Sequence, residues 1–299
     1  MERLTFVYGD DDSDDNAPAE KQPFDVILTS FETKVVNVFR RYLQTGDESE
    51  DSLSLTSAAQ AIIDLLPDPP EPRGWSMELT VFWELCIDTA AQIPYYHICQ
   101  MKLARLLLAL RHSPKTAFTV IWDRSRDIKF TYEFNLLNET SRDYYNPAFE
   151  PQYSDADSTP EDGRRWVNTV AFYAHMYALS GGTQFSTYCT WTMRDAFMST
   201  PSTDYDALDC HISAAAQWIL CTGQNIFSAI LIPPEEEHSL VISREPWTLD
   251  DWHRWKAGFA AAEGEEHLQQ ETRQLAKKSI ILMEALEATM ISGQRMTGG

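Results

Sequence analysis

The sequence predicts an all-α fold, a multi-helix globular domain of about nine helices carrying at most one small β-hairpin. Three observations lead there. Apolar residues recur at helical spacing through most of the 299 residues. Alternation of the strand kind appears once, where Ile128, Phe130, Tyr132 and Phe134 are separated by Lys129, Thr131 and Glu133. Strand and helix patterns never alternate in the order that builds a parallel sheet, which sets aside Rossmann and barrel folds. Apolar residues make up 43% of the chain and aromatic residues 12%, enough to fill a substantial core.

Taken in order, residues 1–22 read as a disordered acidic arm, because Asp, Ala and Pro dominate from Asp10 onward. Residues 24–43 place Ile27, Phe31, Val35, Val38, Phe39 and Tyr42 on one helical face. A short helix follows, with Thr56 or Ser57 as its cap and Pro67 as its stop. In 77–93 Leu79, Phe82, Trp83, Cys86, Ile87 and Ala90 share a buried face, and Pro94 ends the run. A Leu/Ala-rich helix spans 98–110, with His97 before it in a surface or capping role. Residues 117–122 pair with 128–134 in the hairpin, and 135–163 read as irregular. Pro160 opens a helix that runs to 179. Another spans 187–198, and 209–232 is apolar nearly all round, as a central helix would be. Thr248, Asp250 and Asp251 start the next helix, and Gly264 separates it from a last one over 265–290. The whole span 23–291 reads as one helical domain, with 292–299 as a loose tail.

Charge narrows the partners. With 24 Lys and Arg against 45 Asp and Glu, the net charge of −21 opposes phosphate backbones and anionic lipid. Nucleic acid and membrane are therefore not expected as partners. The first residues lack the apolar run of a signal peptide, and no stretch nears the ~20 apolar residues of a membrane span. The five cysteines are odd in number and scattered through apolar runs, as expected of free thiols in a reducing cytoplasm. There is no Gly-rich phosphate loop, GxSxG elbow or HExxH, and the seven histidines form no pair at ligand spacing. No cofactor and no metal are expected.

Two stretches stand out: Trp166-Val167-Asn168-Thr169-Val170-Ala171-Phe172, and Ala214-Ala215-Ala216-Gln217-Trp218-Ile219. With the later Trp252-His253-Arg254-Trp255-Lys256, they resemble an uncharacterised family of filamentous-fungal proteins, a domain of unknown function, over residues 24–290. The chain departs from that pattern at Trp122-Asp123-Arg124-Ser125, where a Trp-Asp-Leu-Pro-like turn is expected. The resemblance implies soluble, intracellular helical proteins, some of them encoded beside genes for specialised metabolites.

The same stretches carry polar seams. Asn168 and His175 lie seven apart and share a face with Phe172. Gln217 and Gln224 lie seven apart, with Ser213, Cys221 and Ser228 along their line. Burying an unpartnered amide costs roughly 1–3 kcal/mol, so these groups need partners. The seams either bond each other, loop backbone or buried water, or they line a pocket whose walls are Trp83, Tyr188, Trp191 and Trp218. In the second case Asn168, Gln217 or Arg194 polarises a substrate carbonyl and His175 moves a proton. Cys221 and Gln224 then contact the substrate. Arg194 otherwise pairs with a carboxylate of a neighbouring helix, and the Tyr-rich stretch 144–153 is a lid or an ordered surface loop.

Two functions follow as expectations. One is a cofactor-independent enzyme of specialised metabolism, a cyclase, isomerase or pericyclase such as a Diels–Alderase, acting on an apolar metabolite. The other is a non-enzymatic module that binds a metabolite or a protein through a helical groove or a homodimer surface, its acidic exterior selecting basic partners.

Overall fold

The computed structural model describes residues 4, 6, 23–44, 52–68, 76–123, 128–146, 160–181, 185–198, 204–233 and 247–291. Of residues 1–22 only 4 and 6 are described, and Phe6 is buried, its carbonyl accepting Arg40 Nη2 at 3.3 Å; the rest of that arm, the tail and most of the 144–153 stretch lie outside the described residues. The all-α class holds: ten α-helices and one two-stranded hairpin appear among the described residues. The helices gather into two compact units, Met1–Tyr144 and Tyr145–Gly299, a division that falls inside the span the sequence reads as one body. No helix among the described residues is long and apolar enough to cross a membrane.

The first unit holds α1 (Pro23–Leu43), α2 (Leu55–Leu65), α3 (Met77–Gln92), α4 (Cys99–Leu110), β1 (Phe118–Asp123), β2 (Ile128–Tyr132) and α5 (Leu137–Asp143). Helix α2 is capped one turn earlier than expected, by Ser54, whose Oγ accepts the Ser57 N–H at 3.1 Å. Helix α3 buries the predicted face, with Phe82, Trp83, Cys86 and Ala90 fully enclosed. Its C-terminus is closed from outside. Gln100 Nε2 donates to the carbonyls of Ala90 and Ile93 at 3.0 and 2.7 Å, which satisfies two acceptors the helix leaves open. His97 caps α4, its Nδ1 accepting the Cys99 N–H at 3.2 Å. In the hairpin Phe118 faces Tyr132, and a bulge sits between Ile121 and Asp123. Helix α5 occupies part of the stretch expected to be irregular, and Leu136 enters it with φ 68° and no side-chain cap.

The second unit holds α6 (Pro160–Leu179), α7 (Ser186–Phe197), α8 (Tyr205–Leu231), α9 (Leu249–Gly264) and α10 (Gln270–Leu286), which ends in a π-helical turn over Glu287–Ile291. Helix α8 is central and packs against all four others. Asp204 caps it, accepting the N–H groups of Asp206 and Ala207. Thr248 and Asp251 form the reciprocal capping box that opens α9. Helix α10 starts later than Gly264 suggests. Its first turn is capped by Asp209 of α8, whose carboxylate accepts the Gln269 N–H at 3.0 Å, while Ser213 and Thr272 share a hydrogen bond at 3.2 Å one turn along.

Candidate functional site at the broken central helix

Helix α8 is not continuous. Thr222 sits at φ −145° and ψ 15°, outside helical geometry, and turns the second half of the helix out of phase with the first. This corrects the seam expected from the seven-residue spacing. Gln217 is buried, 3% exposed, and Gln224 is exposed, because the break lies between them. Gln217 Nε2 donates to the Ser213 carbonyl of its own helix at 3.2 Å. The Thr222 hydroxyl is buried with no hydrogen-bond partner among the described residues. A side chain at Gly223 would lie in ordinary contact with Leu286 and Leu282 of α10, at 3.5 and 3.9 Å, so the break is packed rather than open there.

On α6, Asn168 and His175 are half-buried and Phe172 is fully buried between them. His175 Nε2 lies 3.8 Å from Cys221 Sγ. Burial lowers the His175 imidazole below its ordinary range and pushes the Cys221 thiol up to about 12. Both groups are neutral at pH 7, so the pair is not the thiolate–imidazolium couple of a nucleophilic cysteine. The neutral imidazole has a consequence for stability. As pH falls through the ordinary histidine value of 6.5, the unfolded chain takes up a proton before the folded one does. The histidine's contribution, complete above that pH, is then lost progressively below it. Urea unfolding at pH 7.5 and pH 5.5 is expected to show a smaller difference for His175→Phe than for the native chain, by about 1 kcal/mol or less.

The aromatic side chains assemble around a residue the sequence reading did not single out. Thr192 Oγ1 donates to the Tyr188 carbonyl at 2.7 Å and accepts the Trp218 indole N–H at 3.2 Å. Its proton being committed, it also accepts the Tyr145 hydroxyl at 3.0 Å. Tyr145 is held at its other end by Trp166, whose indole donates to the Tyr145 carbonyl at 2.8 Å. Tyr188, Trp191 and Tyr145 pack ring on ring with centroids 5.3 to 5.5 Å apart. Tyr188 and Trp218 are buried and Trp191 is half-buried. A threonine beside Trp191 gives no sequence signal of this role, except that its hydroxyl reaches the carbonyl four residues back, a habit of threonine in helices.

The remaining candidates are placed elsewhere. Arg194 is exposed and bonds through Nε to Asp195 Oδ1 at 2.8 Å, a neighbour on its own helix. Trp83 belongs to the first unit, where it is fully buried and donates to the Asn135 carbonyl at 2.7 Å. An open cleft of about 230 Å³ lies on α9 and α10, lined by Glu263, Gln270, Arg273, Gln274 and Lys277, and uses none of the seam residues. No three His, Cys, Asp or Glu side chains converge as metal ligands among the described residues.

A family model, described as a protein of unknown function (DUF3632), matches residues 83–259, more than half of the chain. The chain belongs to the DUF3632 family. No curated protein and no solved structure matches it. The DUF3632 match contains both singled-out stretches, and the structure supplies a physical reason for each. Trp166 anchors Tyr145. Ala214, Ala215 and Ala216 are completely buried, as are Ala171 and Ala174 of α6, and small side chains of this kind let helices approach closely. The DUF3632 region also includes the α8 break and the Thr192 hydrogen bonds.

Proposed function

We propose that this DUF3632 chain is a non-enzymatic helical binding module that works in the cytoplasm. The observation that carries the reading is the use made of Thr192. Of the side chains expected to wall a substrate pocket, Trp218 donates to that hydroxyl, as does Tyr145, which packs on Tyr188 and is anchored by Trp166, so these groups are engaged in holding α6, α7 and α8 together. Gln217, the amide expected to polarise a carbonyl, bonds its own helix backbone. Groups already committed to internal partners stabilise a scaffold, and such a scaffold presents its recognition residues on the outside. All five cysteines are free thiols, three of them buried, which suits a reducing compartment.

A second reading has one observation in its favour. The buried Thr222 hydroxyl lacks a partner among the described residues at the break in α8, beside Cys221 and its neutral histidine neighbour. A donor and a proton acceptor in an apolar setting are what a cofactor-free isomerase, cyclase or pericyclase of an apolar metabolite needs.

Gene replacement in the producing organism separates the two. A strain carrying His175→Phe together with Gln217→Leu is expected to match the native strain in metabolite profile, while a strain lacking the gene differs from both in the associations of the protein's partners. Accumulation of a precursor isomeric with a missing product in the double variant, at native protein level, would overturn the module reading in favour of the enzyme.

A further inference from the structure

We propose that the exposed face at the start of α4 is a docking surface for an acidic amphipathic segment of a partner protein. This rests on the binding-module reading and names the surface that reading requires. The first observation is a charge boundary in the sequence. From Thr89 through Trp122 the chain has no Asp or Glu, although it carries 45 of them in all, and the same stretch holds Lys102, Arg105, Arg111 and Lys115. Arg111 and Lys115 are taken up by Glu133 and Asp68, which leaves the exposed Arg105 and the half-buried Lys102, whose Nζ also donates to the Gln44 carbonyl at 3.3 Å, as the cations of this face. Elsewhere in this unit the carboxylates crowd one another. Burial, then Asp88, Glu32 and Asp143, push the Glu84 carboxyl above its ordinary range.

The second observation is apolar exposure in the first turn of α4 and the turn that leads into it. Tyr96 is 69% exposed, Ile98 49% and Met101 40%. Ile98, Met101 and Arg105 follow at i, i+3 and i+7, which sets two apolar side chains and a guanidinium in one stripe. Tyr96 stands at its head, its ring held edge-on by Tyr95 at 5.2 Å. Tyrosine, methionine and arginine are the residue types enriched where proteins meet.

The third observation is rigidity. The opposite face of α4, with Leu103, Leu106, Leu107 and Leu110, is completely buried. Tyr42 OH donates to the Lys102 carbonyl at 3.1 Å, and Cys99 Sγ donates to the Leu43 carbonyl at 2.9 Å, so α4 is fastened to the end of α1. Lys102 Nζ is held 5.0 Å over the Tyr42 ring. A surface ordered before binding spends little entropy on being ordered by it.

Charge chooses the occupant. The apolar stripe takes bulky apolar anchors, and Lys102 and Arg105 beside it take carboxylates at contact range, so this face takes an acidic partner where the net charge of the whole chain points to basic ones. A second copy of the chain would bring another net charge of −21 against the first, which opposes a dimer through this face. A short acidic segment escapes most of that repulsion, since charges beyond ~8 Å are screened at physiological salt.

The test uses the full chain and two labelled synthetic helical peptides, with Leu and Phe on one face and either Glu or Lys on the other. The Glu peptide is expected to bind at least about tenfold tighter than the Lys peptide, with Arg105→Glu reversing the order and Met101→Asp removing both. Equal binding of the two peptides, or binding that ignores both substitutions, overturns the proposal. Zero-length carbodiimide coupling in extracts of the producing organism, read by mass spectrometry, then distinguishes the failures. Amide links from the Lys102 amine to carboxylates of another protein, lost in Met101→Asp, support it. Links from Lys102 to a second copy of the chain overturn the choice of occupant. Links to other proteins from other faces alone overturn this surface and leave the module reading standing, and no links to any other protein overturn both.

Discussion

Replacing Thr192 by valine is expected to lower the melting temperature by about 5–15 °C. Valine keeps the shape and removes the oxygen. The Trp218 indole N–H and the Tyr145 hydroxyl then lose their acceptor in a place water does not reach. Each buried donor left unpaired costs about 1–3 kcal/mol, and two together about 2–4 kcal/mol because the surroundings relax in part. For a cooperative unit of this size a kilocalorie is worth roughly 2–4 °C. Thr192→Ser keeps the oxygen and is expected to stay within about 1 kcal/mol of the native chain. Calorimetry on the three proteins decides it. If the valine variant melts with the serine variant, the hydroxyl is not the fastening point between these helices.

Gly258→Ala is expected to destabilise the chain by about 1–3 kcal/mol, against the direction that helix preference alone dictates. In the interior of an exposed helix such a change adds roughly 1 kcal/mol of stability. Here a Cβ at Gly258 would fall inside the van der Waals shell of the Phe197 ring, the last residue of α7. That ring packs edge-on against Phe259 with centroids 4.7 Å apart, so it has little room to yield. Glycine thus sets how closely α7 approaches α9. A smaller side chain at position 197 should remove the conflict. The pair Gly258→Ala and Phe197→Leu is expected to cost less than the sum of the single changes, by about 1 kcal/mol or more in a double-mutant cycle. Additive costs would mean that the ring and the glycine do not meet.

Most helices were legible because their cause is local. Periodic apolar residues mark α3, α4 and α8, and Thr248 with Asp251 announces the start of α9 within four residues of sequence. What escaped has causes that spacing does not carry. Helix α5 is entered by Leu136 in the left-handed region, with no capping side chain. Nothing in the residue type announces such a start, since glycine or asparagine is the usual occupant of that conformation. The break in α8 falls at a threonine, without proline, and leaves the apolar pattern intact on both sides. Counting by sevens therefore joined Gln217 to Gln224 across a change of phase. The candidate site was legible to the same degree. Asn168, His175, Gln217 and Cys221 do lie along α6 and the first half of α8, whereas Thr192 and Tyr145 acquire their role only when three helices meet.

The carboxylate that caps α10 has a kinetic meaning. Most helix caps sit beside the turn they serve, so a helix can begin while the rest of the chain is still searching. Asp209 serves a backbone amide sixty positions along the chain. The first turn of α10 therefore gains its cap only after a loop of that length has closed and α8 has docked, an entropic cost borne before any contact repays it. Nucleation of this helix belongs to the late part of folding, and its first turn waits for a partner helix already in place.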